Sequence, residues 1–255
     1  MKNETNHFAR SQFGFIFFIY GDSMKIIIIN GQNHKGSTYH TARRLAEKVG
    51  GEITEFFLPK DFGEFCVGCT NCFQKSEEMC PHYGQLNPIT TAMLEADLII
   101  LASPVYVFHS TGAMKAFLDH YGYMWMVHRP HEKMFLKQAV CISTAAGAGM
   151  KSTNKDMNHS LFFWGVPKRY RIGLAVFETR YSHLSEKALK KIEKKTSSVA
   201  AKIKRHSRKV HVSLPTRIMF FCMHIAQRNG FNEADKNYWH KKGWTGKKRP
   251  WKNKN

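Results

Sequence analysis

The chain has 255 residues, of which 43% are hydrophobic, and its formal net charge is +20. This length and apolar content are typical of a large globular domain and exclude wholesale disorder. Residues 1–150 hold 13 Lys or Arg and 13 Asp or Glu, whereas residues 151–255 hold 26 and 6. The sequence therefore predicts a neutral globular body followed by a part with a basic surface.

The amino-terminal segment is not predicted to be part of the folded body. Residues 13–20 form an apolar run that is too short to cross a bilayer, and a small-residue cleavage site of the kind signal peptides carry is absent. Met24 stands immediately before the first clear strand. We interpret residues 1–23 as a disordered or mis-assigned extension, which mass spectrometry of the native amino terminus would test.

Strand and helix signals alternate along the chain between residues 25 and 177. The predicted strands cover residues 25–30, 53–58, 98–102, 138–144 and 171–177. The predicted helices cover residues 38–49, 87–96 beginning at Asn87-Pro88, a segment capped by Ser110, and 151–164. Such alternation predicts an α/β fold with a parallel sheet, whose ligands bind beyond the carboxyl ends of the strands. The loops after Asn30, Ser103 and Thr144 are therefore the candidate site.

The first of these loops is suited to an anion. Gly31 and Gly36 permit tight turns, and Ser37 and Thr38 bring hydroxyl and N–H groups to the start of a helix. Ser37 stands where a nucleotide P-loop has lysine, and the dinucleotide pattern G-x-G-x-x-G is absent. The loop thus favours one terminal monophosphate, with an ordinary capped turn as the alternative.

Two further loops carry a family resemblance. Residues 103–107 read Ser-Pro-Val-Tyr-Val and lead into the helix segment 112–119, Gly-Ala-Met-Lys-Ala-Phe-Leu-Asp. Residues 143–149 are a run of small side chains, Ser-Thr-Ala-Ala-Gly-Ala-Gly. Together with the first loop, these segments closely resemble the NAD(P)H-dependent FMN reductase family of flavodoxin-like proteins, over residues 24–177.

The resemblance implies a flavodoxin-like three-layer sandwich with a five-stranded parallel sheet of order 2-1-3-4-5. It implies FMN as cofactor and NAD(P)H as co-substrate, and it identifies no catalytic acid or base. The residues that it assigns to FMN are Gln32, Asn33, His34, Lys35, Ser37, Thr38, Pro104, Val105, Tyr106, Val107, Thr144, Ala145, Ala146 and Gly147. Gly31 and Asn33 depart from the serine and arginine common in the family, so His34 or Lys35 is expected to supply the charge opposite the phosphate.

Four of the six cysteines are clustered. Cys66, Cys69, Cys72 and Cys80 give the spacing C-x2-C-x2-C-x7-C, which is typical of iron–sulfur ligation. The motif resembles the iron–sulfur flavoprotein branch of the same family, which implies a [4Fe–4S] cluster. Zinc and free or redox-active thiols stay open as alternatives. A compact cluster in a chain of this size favours a reducing compartment, and we expect a cytoplasmic protein.

The basic end divides into two parts. We predict that residues 24–210 form the FMN-binding domain, whose last helix, within 187–209, is amphipathic with a cationic outer face, and that residues 211–255 are a basic extension. The simplest interpretation of that helix is that its cationic face is exposed to solvent. Binding of nucleic acid or of an anionic membrane surface is a weaker alternative. Residues 217–226 are apolar and are predicted to be buried in a contact between subunits of a homo-oligomer. Residues 237–244 resemble the Y-W-x-x-K-G-W extension of some of these reductases.

The functional hypothesis is an FMN-dependent oxidoreductase that passes electrons from NAD(P)H to a flavin, quinone or other acceptor, with a [4Fe–4S] relay where the cluster is present. A first alternative is a non-enzymatic electron carrier. A second is a flavin-based redox sensor that binds polyanions through its basic tail. Flavin bleaching by NAD(P)H without oxygen distinguishes the first hypothesis from the carrier.

Overall fold

A computed structural model describes residues 23–207 and 210–252. Five parallel strands form one sheet in the order β2-β1-β3-β4-β5, which confirms the predicted topology. The strands are β1 (Lys25–Asn30), β2 (Glu52–Phe57), β3 (Leu98–Ala102), β4 (Gln138–Ala145) and β5 (Lys168–Ala175). The interpretation of residues 1–23 as an extension falls on residues outside the described part, apart from Ser23.

Eight α-helices connect or follow the strands in the described part of the chain. They are α1 (Ser37–Val49), α2 (Asn71–Gln74), α3 (Tyr83–Glu95), α4 (Gly112–Asp119), α5 (Met150–Phe163), α6 (Glu186–Arg205), α7 (Leu214–Ala226) and α8 (Glu233–Lys241). None of these helices is both long and apolar enough to cross a membrane.

Each face of the sheet is covered by its own hydrophobic core. The central strands are buried on both faces, as their uninterrupted apolar runs predict. Side chains such as Ile27 and Ile29 pack with α3, α4 and α5, whereas Ile26 and Ile28 pack with α1 and α6. This arrangement fixes the carboxyl ends of β1, β3 and β4 at one edge of the sheet.

Helix α3 begins one turn earlier than the Asn87-Pro88 signal predicts, and that prediction is wrong. Its first turn follows the cysteine loop, residues 66–80, which holds the four clustered cysteines. The N–H of Tyr83 bonds to the Cys80 carbonyl at 3.0 Å. Pro88 therefore lies inside the helix. Because proline has no N–H, the helix lacks one backbone hydrogen bond at this position.

The cap of α4 is Thr111 rather than the predicted Ser110. Thr111 Oγ1 accepts a hydrogen bond from the N–H of Met114 at 3.1 Å and donates one to the Gly31 carbonyl at 2.6 Å. The Ser110 N–H instead bonds to Asp156. The cap thus also joins the first and second loops of the candidate site.

Strand β5 begins and ends earlier than the predicted 171–177. It is one of the two edge strands, and its first residues are mostly polar and not fully buried. The sequence signal came from the apolar residues Ile172, Leu174 and Val176, of which only the first two lie in the strand. Edge strands often carry charged residues of this kind, so a search for apolar residues does not detect where such a strand begins.

Residues 210–252 pack on the body through a third core. Phe220 of α7 and Trp239 and Trp244, in and after α8, bury their rings against Phe135 and Met126 of the body. Ile218, Phe221 and Ile225 remain exposed on the protomer. The apolar segment 217–226 therefore uses one face for its own chain, and the predicted subunit contact stays a prediction.

Candidate functional site

A cavity of about 310 Å³ opens at the carboxyl edge of the sheet. Three loops identified from the sequence meet there, after β1, β3 and β4. The lining residues are Asn30, Gln32, His34, Gly36, Ser37, Thr38, Tyr39, Ala102, Pro104, Val105, Tyr106, Thr144, Ala145, Ala146, Val176, Glu178 and Thr179. The cavity thus lies where doubly wound sheets bind their ligands.

One end of the cavity is a helix amino terminus with spare polar groups. The hydroxyls of Thr38 and Thr144 lie 2.6 Å apart and share a hydrogen bond. Ser37 Oγ and Asn30 Oδ1 are buried and have no hydrogen-bond partner among the described residues. Gly36, the N-cap, has no side chain to satisfy the first N–H groups of α1. The hydroxyls and the helix N–H groups suit an anion that accepts hydrogen bonds, whereas Asn30 Oδ1 is an acceptor and could pair only with a donor group of a ligand.

Gly31 holds the first loop tightly against its neighbours. Its N–H donates to the Ala102 carbonyl at 2.7 Å. A Cβ at this position would lie 3.0 Å from both Met114 Cβ and Thr111 Oγ1 and 3.2 Å from Ser103 Cβ. In this chain the space that a larger side chain would need is thus already occupied, which accounts for glycine at this position.

The cavity mouth is apolar and conformationally unusual. Tyr106 OH accepts a hydrogen bond from Gln32 Nε2 at 2.6 Å, which links the first and second loops. Val107 and Phe108 follow with φ angles of 47° and 64°, and Phe177 on the other side has a φ of 55°. Non-glycine residues in the left-handed region are uncommon, and such strain is concentrated at functional sites. The side chains of Tyr106, Val107, Phe108 and Phe177 are all exposed, so the mouth presents aromatic and aliphatic surface to an entering ligand.

Ten of the fourteen predicted FMN residues line the cavity. The other four lie beside it: Asn33 donates its N–H to Gln32 Oε1, Lys35 Nζ lies 5.3 Å from the Tyr39 ring centroid, Val107 points to solvent at the mouth, and Gly147 lies in the third loop. Lys35 does not line the cavity, whereas His34 does.

The sequence prediction missed the fourth side of the cavity. Val176, Glu178 and Thr179 follow β5, whose carboxyl end lies at the same edge. The available signal was the fifth strand itself, because every parallel strand delivers its following loop to this edge. Backbone N–H groups of Arg180 and Thr179 bond to the Glu178 carboxylate and lower its pKa, so a negative charge stands at this side.

The four clustered cysteines line a second, smaller cavity of about 60 Å³. Cys66 and Cys69 are exposed, and Cys72 and Cys80 are half-buried. Burial raises the pKa of the Cys72 thiol to about 11, and the three neighbouring cysteines add to this rise. Without a cation, Cys72 is therefore held as a neutral thiol.

A histidine pair borders the cysteine cavity. His120 Nδ1 lies 2.7 Å from the Ala116 carbonyl, which can only accept, so this nitrogen carries the proton. His120 Nε2 then accepts a hydrogen bond from His82 Nδ1 at 2.9 Å. Burial lowers the pKa of His120, which agrees with a neutral ring. Among the described residues, Cys80, His82 and His120 are the one triad of potential metal ligands whose ligand atoms all lie within 4.8 Å of one another.

A buried arginine ties the cysteine segment to the carboxyl-terminal extension. Arg129 donates to the carbonyls of Cys72 and Phe73, the latter at 3.0 Å. Its Nη1 also lies 2.7 Å from Oδ1 of Asp235 in α8, and Asp235 Oδ2 lies 2.7 Å from His128 Nδ1. Arg129 and Asp235 are both buried. No local pattern indicates this network, because Arg129 lies more than 50 residues from Cys72, Phe73 and Asp235 in the sequence.

Known proteins resemble this chain in sequence and in fold. Among curated relatives, an iron-sulfur flavoprotein of Archaeoglobus fulgidus is 28% identical over 204 residues, which cover 78% of this chain and 87% of the relative. An iron-sulfur flavoprotein of Methanocaldococcus jannaschii is 29% identical over 144 residues, which cover 54% of this chain and 72% of that relative.

Solved structures share the fold at low sequence identity. An FMN-dependent NADH-azoreductase from Bacillus anthracis in complex with FMN superposes with a TM-score of 0.52 and 10% identity, covering 70% of this chain and 99% of that one. A flavone reductase gives a TM-score of 0.53 at 17% identity, covering 73% of this chain and 64% of that one. The family model for NADPH-dependent FMN reductase matches residues 24–179. This chain, an FMN-dependent oxidoreductase, therefore belongs to the NADPH-dependent FMN reductase family.

Proposed function

We propose that this protein transfers electrons from NAD(P)H, through FMN held in the 310 Å³ cavity, to a flavin, quinone or other acceptor. The observation that carries the proposal is the cavity end at α1, where the Ser37 hydroxyl is buried without a partner among the described residues. Buried polar groups in native proteins are nearly always satisfied, so this hydroxyl at a helix amino terminus supports a ligand that accepts hydrogen bonds.

The residues fit the parts of FMN in turn. The hydroxyls of Ser37 and Thr38 and the N–H groups at the start of α1 would hold the phosphate, with the His34 ring nearby on the cavity lining. Pro104, Val105 and the small third loop would line the ring, and Tyr106 would stand at its edge. When bound, FMN accepts hydride from the reduced nicotinamide and passes the electrons on. The chain's part is to bind, orient and shield, and none of its side chains has to act as acid or base.

Titration of the apoprotein with FMN tests the phosphate end. A hydrogen bond to a charged group contributes about 1.5–3 kcal/mol, so Ser37→Ala and Thr38→Val should each raise the Kd roughly ten- to 150-fold. Thr41→Val is the matched control, because Thr41 lies one turn further along α1 and its hydroxyl bonds to the Ser37 carbonyl within the helix. Unchanged FMN affinity in both site variants would refute this placement.

Anaerobic mixing with NADPH or NADH separates the enzyme from the alternatives. Rapid bleaching of the bound flavin, followed by turnover with an added quinone or free flavin, is expected of the reductase. A flavin that stays oxidised under NAD(P)H yet accepts electrons from a reduced protein would instead support the non-enzymatic carrier. The redox-sensor alternative requires polyanion affinity that changes with the flavin's oxidation state.

We further propose that the cysteine cavity holds a [4Fe–4S] cluster that relays single electrons. A tetrahedral zinc site, with Zn–S bonds of about 2.3 Å, needs sulfur atoms roughly 3.8 Å apart. The four cysteines line one cavity, yet no three of these described thiols lie within 4.8 Å of one another. The wider spacing favours a larger cubane over one zinc ion.

Metal analysis of protein purified without oxygen tests this ligand set. About four irons per chain are expected, and Cys69→Ser should remove them while FMN stays bound. Cys222→Ser is the control, because Cys222 is exposed on α7 and away from the motif. One zinc per chain would favour Cys80 with His82 and His120. Full FMN with neither metal would leave the cysteines as free or redox-active thiols.

A further inference from the structure

Helix α7 presents an apolar stripe to solvent. Leu214, Ile218, Phe221 and Ile225 recur at intervals of four, three and four residues, which places them on one face of the helix. Their side chains are 68%, 55%, 56% and 51% exposed, respectively. A continuous row of large apolar side chains is unusual on a free protein surface and indicates a binding surface.

The opposite face of α7 fixes this orientation. Phe220 is buried among aromatic rings of the third core. His224 Nδ1 bonds to the Trp244 carbonyl at 2.6 Å, and Gln227 Nε2 donates to the Val127 carbonyl at 2.7 Å. Both side chains are buried. The helix is thus anchored by its other face, and the stripe points outward because the inner contacts leave it no alternative.

Cations border the stripe. A cavity of about 290 Å³ between α7 and the tail is lined by Arg217, Arg249, Ile218, Phe220, Phe221 and Trp251. Residues 211–255 contain ten Lys or Arg and two acids, Glu233 and Asp235. Asp235 is buried against Arg129, and Glu233 lies 3.7 Å from Lys236. The surface therefore combines an apolar row with a positive rim.

This combination favours an anionic bilayer surface over a second copy of the chain. A two-fold contact through α7 would bring the Arg217 and Arg249 side chains of both copies together. A stable dimer also needs about 800 Å² from each partner, which one row of four side chains does not supply. An anionic bilayer instead offers phosphates to the guanidinium groups and an acyl boundary to the stripe.

We propose that α7 is an interfacial docking helix for membranes containing anionic phospholipid. It would lie parallel to the bilayer, with Leu214, Ile218, Phe221 and Ile225 at the acyl boundary and Arg217 and Arg249 at the phosphates. The proposal is independent of the proposed FMN chemistry. Its consequence is that lipid-soluble acceptors become accessible to a membrane-seated oxidoreductase.

Co-sedimentation of the full chain with vesicles tests the proposal. Binding is expected to mixed phosphatidylcholine–phosphatidylglycerol vesicles and not to pure phosphatidylcholine, and it should weaken as salt rises. The double variant Ile218→Glu/Phe221→Glu should bind about tenfold or more weakly. Arg217→Ala, a milder change, should weaken binding at low salt. Circular dichroism and FMN affinity check that each variant is folded.

The control variant matches the change in charge. Lys187→Ala/Lys195→Ala also lowers the net charge by two, at exposed positions on α6. It should lose much less vesicle affinity than the stripe variant. The proposal is overturned by failure of the full chain to bind mixed vesicles, or by equal loss in the two double variants. It is also overturned if Ile218→Glu/Phe221→Glu halves the mass in light scattering, which would identify a second copy as the occupant.

Discussion

Removal of the Asp235 carboxylate should strongly destabilise the protein. Asp235→Ala leaves the Arg129 guanidinium buried without its closest counter-charge, 2.7 Å away. Breaking a buried ion pair from one side costs about 3–5 kcal/mol. Arg129 would keep its two carbonyl partners and a half-exposed Glu77 carboxylate at 4.0 Å, so we expect the lower end, about 3 kcal/mol. Urea unfolding followed by tryptophan fluorescence measures this loss.

The paired replacement shows whether the loss comes from the unpaired charge. Arg129→Met/Asp235→Leu removes both charges and fills the space with apolar groups, which is often nearly neutral for a buried pair. We expect it to recover part of the unfolding free energy, because the Cys72 and Phe73 carbonyls still lose their donor. For the same reason it should retain less iron than the wild type. A loss below about 1 kcal/mol in Asp235→Ala, or no recovery in the double variant, would refute the reasoning.

Three other outcomes follow from the packing and the charges. Phe220→Ala should lower the unfolding free energy by about 3–5 kcal/mol, whereas Phe221→Ala, on the exposed face, should change it by about 0.5 kcal/mol or less in urea titrations. Gly31→Val should both destabilise the fold and weaken FMN binding, because its side chain would meet Met114 and Thr111; wild-type FMN affinity would contradict this. Burial lowers the pKa of His131 to about 4, so the unfolded chain binds a proton there first. Stability should then fall as pH drops from about 6.5 towards 4, and His131→Gln should flatten that part of the pH profile.

The central sheet was predictable because its inner strands have distinctive apolar sequences. Strands β1 and β3 are buried on both faces, so their sequences are nearly uninterrupted Ile and Leu. The edge strand β5 gives a weaker signal, since its first four residues contain Lys168, Arg169 and Arg171. The start of α3 was hidden for a different reason: the hydrogen bonds that begin it come from the cysteine loop, and Pro88 misleadingly resembles a first helical position.

The candidate site was predictable where local chemistry defines it. Ser37 and Thr38 indicate the start of a helix, whose N–H groups favour an anion, and ten of the fourteen residues assigned from resemblance line one cavity. The direction of individual side chains was not predictable. Lys35 has the charge expected near a phosphate, yet its ammonium lies over the rings of Tyr39 and Phe57. This orientation depends on tertiary packing, which the local sequence does not reveal.

The carboxyl-terminal extension shows what kind of information a local pattern omits. Its sequence is basic and rich in tryptophan, which by itself suggests a separate surface element. In the fold, Trp239 donates its indole N–H to the His128 carbonyl at 2.6 Å, and Asp235 pairs with Arg129, which in turn holds the Cys72 carbonyl. The extension is thus part of the support of the cysteine loop. A change at Asp235 should therefore affect a motif more than 150 residues away in the sequence, because Asp235 pairs with Arg129 and Arg129 donates to the Cys72 carbonyl.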